Sequence, residues 1–390
     1  MRDGRLLVVP ALRARAGADG SFLLTRKFVD GIHSYVRLWP GRVHVAVQRT
    51  DEPDGNLDPI AIRPRGQPFE LSWAGDGAAR DGELLRGAAV ALVTLTHDSV
   101  PLAELAARAS VPLVYVSEYS VRTRRQIVRA ETANPLLRWR REWWTWRLED
   151  RYRRAVRRAA GVQCNGTPTY EAYKPLSRNA LLYFDTRVSR EELAGEADVE
   201  ARLRELRAGG PLRLVFSGRL AAMKGADHLP RVAAELRRLG VDFSLDVFGG
   251  GPLEARIRQD LARLGLEPVV RLHGVVDFAR ELMPYVAKRA DLFVCCHVQG
   301  DPSCTYLETL SCGVPIAGYD NEAFAGLVRS SGVGWPTPLG DAGALAGRIA
   351  ELARDRESLA RQARQALAFA SEHTFERTMR QRVAHLEACA

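Results

Sequence analysis

The chain has 390 residues, of which 46% are hydrophobic and 26% are charged. This is the composition of an ordinary globular protein, and the length corresponds to two or three domains of ~100–200 residues each. No apolar run reaches the roughly 18 residues of a bilayer-spanning helix, and the first run is too short for a signal peptide, so we expect no integral membrane protein. The net charge of +9 favours anionic partners, such as nucleotide phosphates, an anionic membrane surface or nucleic acid.

The six cysteines show neither C-x-x-C spacing nor a zinc-ligand pattern with histidine. We therefore expect reduced, buried thiols and no metal site. Reduced thiols fit the cytoplasm.

The first half of the chain alternates between short apolar runs and polar stretches. Candidate strands are Leu6–Val9, Val43–Val47, Ala88–Leu95, Val111–Val116, Gly161–Cys164 and Ala180–Tyr183. Ala91–Leu95 lacks polar alternation, as expected for a strand covered on both faces. The stretch Asp51–Gly82 is rich in Gly, Pro and Asp, which predicts turns with little regular structure.

A basic segment rich in tryptophan spans 135–158. Trp139, Trp143 and Trp146 are spaced i, i+4, i+7 on one helical face, and nine arginines accompany three acidic residues. Two interpretations stay open. The helix either lies on an anionic membrane surface or packs its Trp face against the first lobe. No recognised nucleic-acid module accompanies the charge, so we expect no nucleic-acid partner.

The second half repeats a strand–helix alternation that predicts a parallel, doubly wound sheet. The predicted strands are Leu212–Phe216, Phe243–Phe248, Val269–Leu272, Leu292–Cys296 and Val314–Ala317, and the predicted helices are Ala226–Leu239, Pro252–Leu264, Phe278–Lys288 and Tyr306–Ser311. We place the domain boundaries at 1–187, 188–370 and 371–390. The last of these is a helix that we expect to cross back to the first lobe.

Two cations flank the loop of Ser217–Gly225, which follows a strand and opens a helix. They are Arg219 and Lys224, five residues apart. A helix N-terminus supplies free N–H groups and a dipole, and the cations add full charges, so the arrangement suits a diphosphate. The alternative is a pair of surface cations beside a turn.

Two further segments follow predicted strands. Gly249, Gly250 and Gly251 would let a ligand approach the backbone closely, or simply form a tight turn. In Gly300–Pro315, the residues Ser303, Cys304 and Thr305 would open a helix at the carboxyl edge of the sheet, where phosphates bind. Glu308 lies one turn into that helix. It could accept hydrogen bonds from a ribose, or be a helix-surface carboxylate.

In order, these motifs read G-R-L-x-x-x-K-G, G-G-G-P and x-x-x-E-x-x-x-x-G-x-P. The series resembles glycosyltransferase family 4, also called group 1, over about Pro211–Leu352. The resemblance implies a retaining enzyme with an α/β GT-B fold, in which two Rossmann-like, doubly wound parallel-sheet lobes face a cleft. It implies that Arg219 and Lys224 bind the donor diphosphate and that Glu308 holds the ribose. The other implied donor contacts are Gly218, Gly249, Gly250, Ser303, Cys304 and Thr305.

The chain departs from the family pattern at one position. The family usually carries a second, sugar-contacting glutamate eight positions before Glu308, where this chain has Gly300. Asp301 is the adjacent carboxylate, and we expect it to substitute if the loop shifts by one residue.

The first lobe resembles the family loosely. Gly17–Gly20 is the candidate for the glycine-rich first turn, with Gly20 as its candidate contact residue. His97 and Glu118 each follow a predicted strand, and Glu118 lies near the place where the family often has a histidine. Both side chains could contact sugar hydroxyls or the acceptor, or merely cap a turn.

The resulting expectation is a metal-independent transferase without a cofactor. It would move a sugar from a UDP- or GDP-sugar to a glycan or lipid-linked acceptor in polysaccharide or glycolipid assembly. It would be cytoplasmic, and peripheral on the inner face of the plasma membrane if segment 135–158 binds lipid. The alternatives are a GT-B sugar-nucleotide epimerase or phosphorylase, and a non-catalytic, membrane-associated scaffold.

Overall fold

The structure, a computed structural model, describes residues 4–51, 59–74, 78–132 and 134–390. It has two α/β lobes, each built on one sheet. The first sheet contains β1 (Arg5–Val9), β2 (Arg13–Ala16), β3 (Phe22–Thr25), β4 (Val43–Arg49), β5 (Pro59–Ile62), β6 (Glu70–Trp73), β7 (Ala88–Thr94), β8 (Leu113–Ser117), β9 (Gly161–Asn165) and β10 (Ala180–Tyr183). The second contains β11 (Leu212–Ser217), β12 (Phe243–Phe248), β13 (Val270–Gly274), β14 (Leu292–Cys295), β15 (Ile316–Tyr319) and β16 (Trp335–Thr337).

Helices cover the faces of both sheets. Those before β11 are α1 (Arg26–Leu38), α2 (Ala78–Leu85), α3 (Leu102–Arg108), α4 (Val121–Glu131), α5 (Pro135–Arg158), α6 (Thr167–Tyr173) and α7 (Glu196–Ala208). Those after it are α8 (Leu229–Arg238), α9 (Glu254–Arg263), α10 (Met283–Arg289), α11 (Cys304–Ser311), α12 (Glu322–Ser331), α13 (Ala342–Arg354), α14 (Arg356–Glu372) and α15 (Phe375–Cys389).

Strand order confirms the predicted doubly wound architecture. The second sheet runs β13-β12-β11-β14-β15-β16, and each of these pairs is parallel. The chain reverses direction across the sheet at β11, which lies between β12 and β14. In the first sheet the strand order reverses at β1, which lies between β4 and β7. Ligands bind beyond the carboxyl ends of strands at such reversal points, so each lobe has one candidate crevice.

Strands at these central positions have apolar side chains on both faces, because helices cover both sides of the sheet. Every residue of β8 and β9 is buried, as is every residue of β14 and β15. This packing explains why these strands could be predicted from continuous apolar runs.

The prediction of irregular structure for Asp51–Gly82 was wrong. The segment contains β5 and β6 and the start of α2, while 52–58 and 75–77 lie outside the described residues. β5 pairs antiparallel with β3, and β6 pairs parallel with β4. β5 has no fully buried residue. Each of the two strands is only four residues long, and the neighbouring Gly, Pro and Asp dominate the composition of the segment.

The last helix packs on the first lobe. Met379, Val383 and Leu386 of α15 belong to the apolar core under the first sheet, and α15 contacts α1 and β10. The preceding helix, α14, packs on α7 and α11 in the second lobe. The backbone N–H of Phe375 donates to the carbonyl of Val188 (2.8 Å), so the two crossings between the lobes run side by side.

A buried arginine ties three elements of the second lobe together. Arg202 of α7 is 2% exposed. Its guanidinium donates to the carbonyl oxygens of Ala287 (2.6 Å), Cys312 (3.0 Å) and Gly313. These carbonyls lie at the C-terminal ends of α10 and α11, where the helix dipole is negative. They stabilise the buried cation, and the nearby Asp291 carboxylate adds to their effect.

Replacing Arg202 should therefore destabilise the second lobe. Arg202→Ala leaves three buried carbonyls without donors, at about 1–3 kcal/mol each, so we expect a loss of roughly 3 kcal/mol or more in the free energy of unfolding. Urea unfolding followed by circular dichroism measures it. The matched control is Arg204→Ala on the exposed face of the same helix, which should change stability by less than about 0.5 kcal/mol. Equal effects of the two substitutions would contradict the role of Arg202.

Candidate functional site

Three loops meet at the carboxyl edge of the second sheet, after β11, β12 and β14. A Cβ atom on Gly249 would lie 2.0 Å from the carbonyl oxygen of Gly218, and one on Gly225 would lie 1.9 Å from that of Cys296. Gly249 and Gly225 also have positive φ angles, +118° and +58°. Only glycine permits both the close approach and the conformation. The loops therefore pack backbone against backbone and place Arg219 at the rim.

This rim encloses a cleft of about 800 Å³. Its lining includes six residues predicted as donor contacts, namely Gly218, Arg219, Gly249 and Gly250 from the loops and Thr305 and Glu308 from α11. The opposite wall is apolar, formed by Val275, Val276 and Leu282. A cleft with an apolar wall and a few convergent polar groups has the character of a small-molecule site.

The two predicted diphosphate cations lie in different environments. Arg219 is exposed at the cleft, and no carboxylate in the described part of the chain pairs with it. The Lys224 ammonium is mostly buried and contacts the Asp301 carboxylate (2.8 Å) and the Ser303 hydroxyl (3.2 Å). The site thus has one free cation and one fixed cation.

The N-terminus of α11 faces the same place. Ser303 occupies the cap position, but its side chain does not bond to the first-turn N–H groups, because its hydroxyl accepts from Lys224. The first N–H groups of α11, at Cys304 and Thr305, thus remain open to an anion.

Glu308 is 8% exposed and accepts a hydrogen bond from Nε of Arg187 (2.9 Å). The Arg187 guanidinium lies 3.5 Å from the ring centroid of Phe278, which begins a π-helical turn. Burial raises the pKa of Glu308, and Arg187 partly offsets this effect. The carboxylate has a second oxygen for a ligand hydroxyl at the cleft wall.

The loop that lacks the family glutamate is held by the first lobe. A Cβ atom on Gly300 would lie 2.4 Å from Cγ of Glu322. The Glu322 carboxylate accepts from the Thr123 hydroxyl (2.6 Å), and the Gly300 N–H donates to Oε1 of Gln126 (3.0 Å). Glu322 thus fills the space that a side chain at position 300 would need. Asp301 is 9% exposed, and its Oδ1 atom is buried without a protein partner.

A second pocket, of about 430 Å³, lies at the reversal point of the first sheet. Its walls are largely apolar, and Lys27, Glu118, Asp185 and Arg382 supply its charges. Glu118 accepts a hydrogen bond from the side-chain amide of Asn165 (3.1 Å). Burial raises the pKa of Glu118, and the nearby Asp185 raises it further. Glu118 is therefore a pocket residue and not a turn cap.

The other two first-lobe candidates lie elsewhere. Gly20, with φ of +76°, is in the turn that joins β2 to β3, and it does not line the first-lobe pocket. The prediction of a glycine-rich first turn there was wrong, because the hairpin is inserted between β1 and α1. His97 is half exposed, hydrogen-bonds Asp98 (3.1 Å) and lies against the Trp144 ring, at 5.2 Å between centroids.

Helix α5 has the predicted bounds, and its tryptophan side chains are exposed. Trp139, Trp143, Trp144 and Trp146 are 70%, 49%, 46% and 51% exposed. The face that packs on the first lobe consists of Leu148, Tyr152, Ala155 and Val156. The interpretation that the Trp face packs internally was therefore wrong.

All six cysteines are free thiols, as predicted; four are buried, and Cys304 and Cys389 are partly exposed. In the described ranges, no cluster of three or more His, Cys, Asp or Glu side chains has the geometry to bind a metal ion. No helix within those ranges is long and apolar enough to cross a bilayer.

Sequence analysis missed Arg187, Lys27 and Glu322. Arg187 and Glu308 are 121 positions apart, and Lys27 and Cys304 are 277 apart. No local motif marks these pairs. For Lys27, the sequence offered only its position two residues after Thr25, the N-cap residue of α1.

Residues 200–368 match the family model of glycosyl transferases group 1. A putative colanic acid biosynthesis glycosyltransferase of Salmonella typhimurium is 28% identical over 158 residues, 39% of this chain and 38% of that protein. The GDP-mannose-dependent alpha-(1-6)-phosphatidylinositol monomannoside mannosyltransferase of Mycolicibacterium smegmatis is 33% identical over 146 residues, 35% of this chain and 37% of that protein. The chain thus spans less than two-fifths of the length of each of these relatives.

Solved structures match nearly the whole chain. Anabaena HepE in complex with UDP superposes with a TM-score of 0.69 at 15% identity, over 99% of this chain and 100% of that one. WaaG, a glycosyltransferase involved in lipopolysaccharide biosynthesis, superposes with a TM-score of 0.58 at 14% identity, over 97% and 99%. The chain therefore has a GT-B fold, and the part of it that matches the group 1 glycosyl transferase model, residues 200–368, lies mainly in the second lobe.

Proposed function

We propose that the chain is a retaining glycosyltransferase that moves a sugar from a UDP- or GDP-sugar to a glycan or lipid-linked acceptor. The observation that carries the proposal is a cleft lined by Arg219, Thr305 and Glu308, with Lys224 held beside it on Ser303, the cap residue of α11. The names of the relatives support the donor class: one is GDP-mannose-dependent, and HepE was solved with UDP.

The chemical task is to stabilise the departing diphosphate. The bond between the anomeric carbon and the phosphate oxygen breaks, and its electron pair stays on the phosphate. The acceptor oxygen bonds to the same face of the sugar, and its proton passes to the leaving phosphate. Arg219, Lys224 and the α11 dipole can stabilise the new negative charge, and Glu308 can hold the ribose. We nominate no enzymatic nucleophile and no metal.

Removing either cation should abolish transfer without unfolding the protein. For Arg219→Ala and Lys224→Ala we expect kcat to fall by about 10²–10³, the usual cost of losing one charge-stabilising group. Sugar transfer from UDP- and GDP-sugars, measured by nucleotide release, gives the rate. Lys288→Ala, an exposed lysine on α10, is the control and should be normal. Near-normal turnover by either cleft variant would refute the donor-site assignment.

Transfer should not need a divalent metal and should keep the anomeric configuration. We expect unchanged rates in excess EDTA, because Arg219 and Lys224 supply the positive charge, and an axial donor linkage should give an axial product by NMR. Epimerised or hydrolysed donor without an acceptor would favour the epimerase or phosphorylase alternative. Tight donor binding without turnover on any acceptor would favour the scaffold.

We further propose that α5 attaches the chain to an anionic membrane surface, next to the acceptor side of the cleft. The exposed tryptophans share the surface with exposed arginines, among them Arg140 and Arg147, and the Arg147 guanidinium lies 4.6 Å from the Trp143 ring centroid. Aromatic rings and basic groups are the side chains that favour the lipid interface. The contact between Trp144 and His97 connects α5 to the loop that follows β7.

Binding to vesicles should depend on this charge. Arg140→Glu/Arg147→Glu should bind vesicles of 30% anionic lipid at least about tenfold more weakly than the unmodified chain, since each basic residue near such a surface contributes about 1 kcal/mol. Arg361→Glu/Arg380→Glu, on the exposed faces of α14 and α15, makes the same change in net charge and should bind normally. Co-sedimentation at two salt concentrations measures both. Binding that is equal for the two double variants would refute the assignment to α5.

A further inference from the structure

One cation of the first lobe touches the helix that begins the second-lobe anion site. Lys27 lies in the first turn of α1, and its Nζ atom is 3.1 Å from Sγ of Cys304. Cys304 is the first residue of α11, between Ser303 and Thr305. Lys27 therefore reaches across the interface between the lobes to the end of the helix that faces the cleft.

Two lysines, one from each lobe, contact consecutive residues at this helix end. Lys224 contacts the Ser303 hydroxyl, and Lys27 contacts the Cys304 thiol. Each lysine is also paired with a carboxylate: Lys224 with Asp301 (2.8 Å), and Lys27 with Asp185 (2.6 Å). Each ion pair thus contacts the N-terminus of α11.

The surroundings of the α11 N-terminus keep Lys27 charged and leave one Asp301 oxygen without a protein partner. Burial alone would lower the pKa of Lys27, but the Asp185 carboxylate and the Cys304 side chain together outweigh burial and raise the pKa. Lys27 is therefore a cation at any working pH. On the other side, Oδ1 of Asp301 is buried without a protein partner. This oxygen can accept a hydrogen bond from a hydroxyl of the donor's sugar, whose diphosphate would then lie at the helix end.

We propose that Lys27 binds the diphosphate of the donor, so that the leaving group is held by cations from both lobes. The inference rests on the proposed function and deepens it. A phosphate oxygen at the α11 N-terminus would lie beside Lys224 and Lys27 at once. The negative charge that develops when the glycosidic bond breaks would then be shared between the lobes, and Lys27 would be a contact residue of the reaction.

Nucleotide titration without an acceptor tests this role. UDP and GDP are titrated by calorimetry into the full chain, into Lys27→Met and into the control Lys288→Met. We expect Lys27→Met to bind the preferred nucleotide about tenfold more weakly, Lys27→Arg to retain most of the affinity, and Lys288→Met to be unchanged. Melting temperatures measured without ligand show whether each variant is folded.

A second variant separates a lost contact from an unpaired carboxylate. In Lys27→Met, Asp185 loses its partner and could repel the phosphate. Lys27→Met/Asp185→Asn removes that repulsion and should still bind weakly. Normal nucleotide affinity in the double variant would overturn the inference.

The remaining outcomes are also decisive. A Lys27→Met variant that binds the nucleotide normally but has a raised KM for the acceptor would place Lys27 on the acceptor and overturn the inference, while the donor site stands. If the unmodified chain bound neither UDP nor GDP, the proposed function would fail, and this inference with it.

Discussion

The close packing of three loop backbones at the carboxyl edge of the second sheet determines what the rest of the site can do. Gly249 lies against Gly218, and Gly225 lies against Cys296, at separations that exclude any Cβ atom. With no side chains between them, the loops after β11, β12 and β14 form a single wall. The positions of Arg219 and Lys224 depend on this wall, because both belong to the loop that it fixes.

Polar contacts connect this wall to the first lobe. Lys27 lies in the first turn of α1, and Thr123 and Gln126 lie in the first two turns of α4. They contact Cys304 and Gly300, on either side of Asp301. Burying such polar contacts costs desolvation unless each group is paired, and here nearly every one is. The relative position of the lobes is thus set by the same polar groups that surround the anion site.

Local chemistry explains how much of this could be predicted from the sequence. The central strands could be predicted from continuous apolar runs. The loops of the candidate site could be predicted from Gly218, Gly249 and Lys224, because a turn after a strand is encoded within a few residues. Pairs such as Arg187 with Glu308 depend on chain segments that meet only after folding. The exposure of the α5 tryptophans also could not be predicted, since helical spacing shows which residues share a face but not which face is covered.

The crossing of α15 has a consequence for how the chain folds during synthesis. The first sheet is complete once β10 has left the ribosome, but its core still lacks Met379, Val383 and Leu386. The whole second lobe is made before these side chains arrive. Until then the underside of the first sheet exposes apolar surface, the kind of surface that chaperones bind. The first lobe is therefore the first to emerge and the last to close.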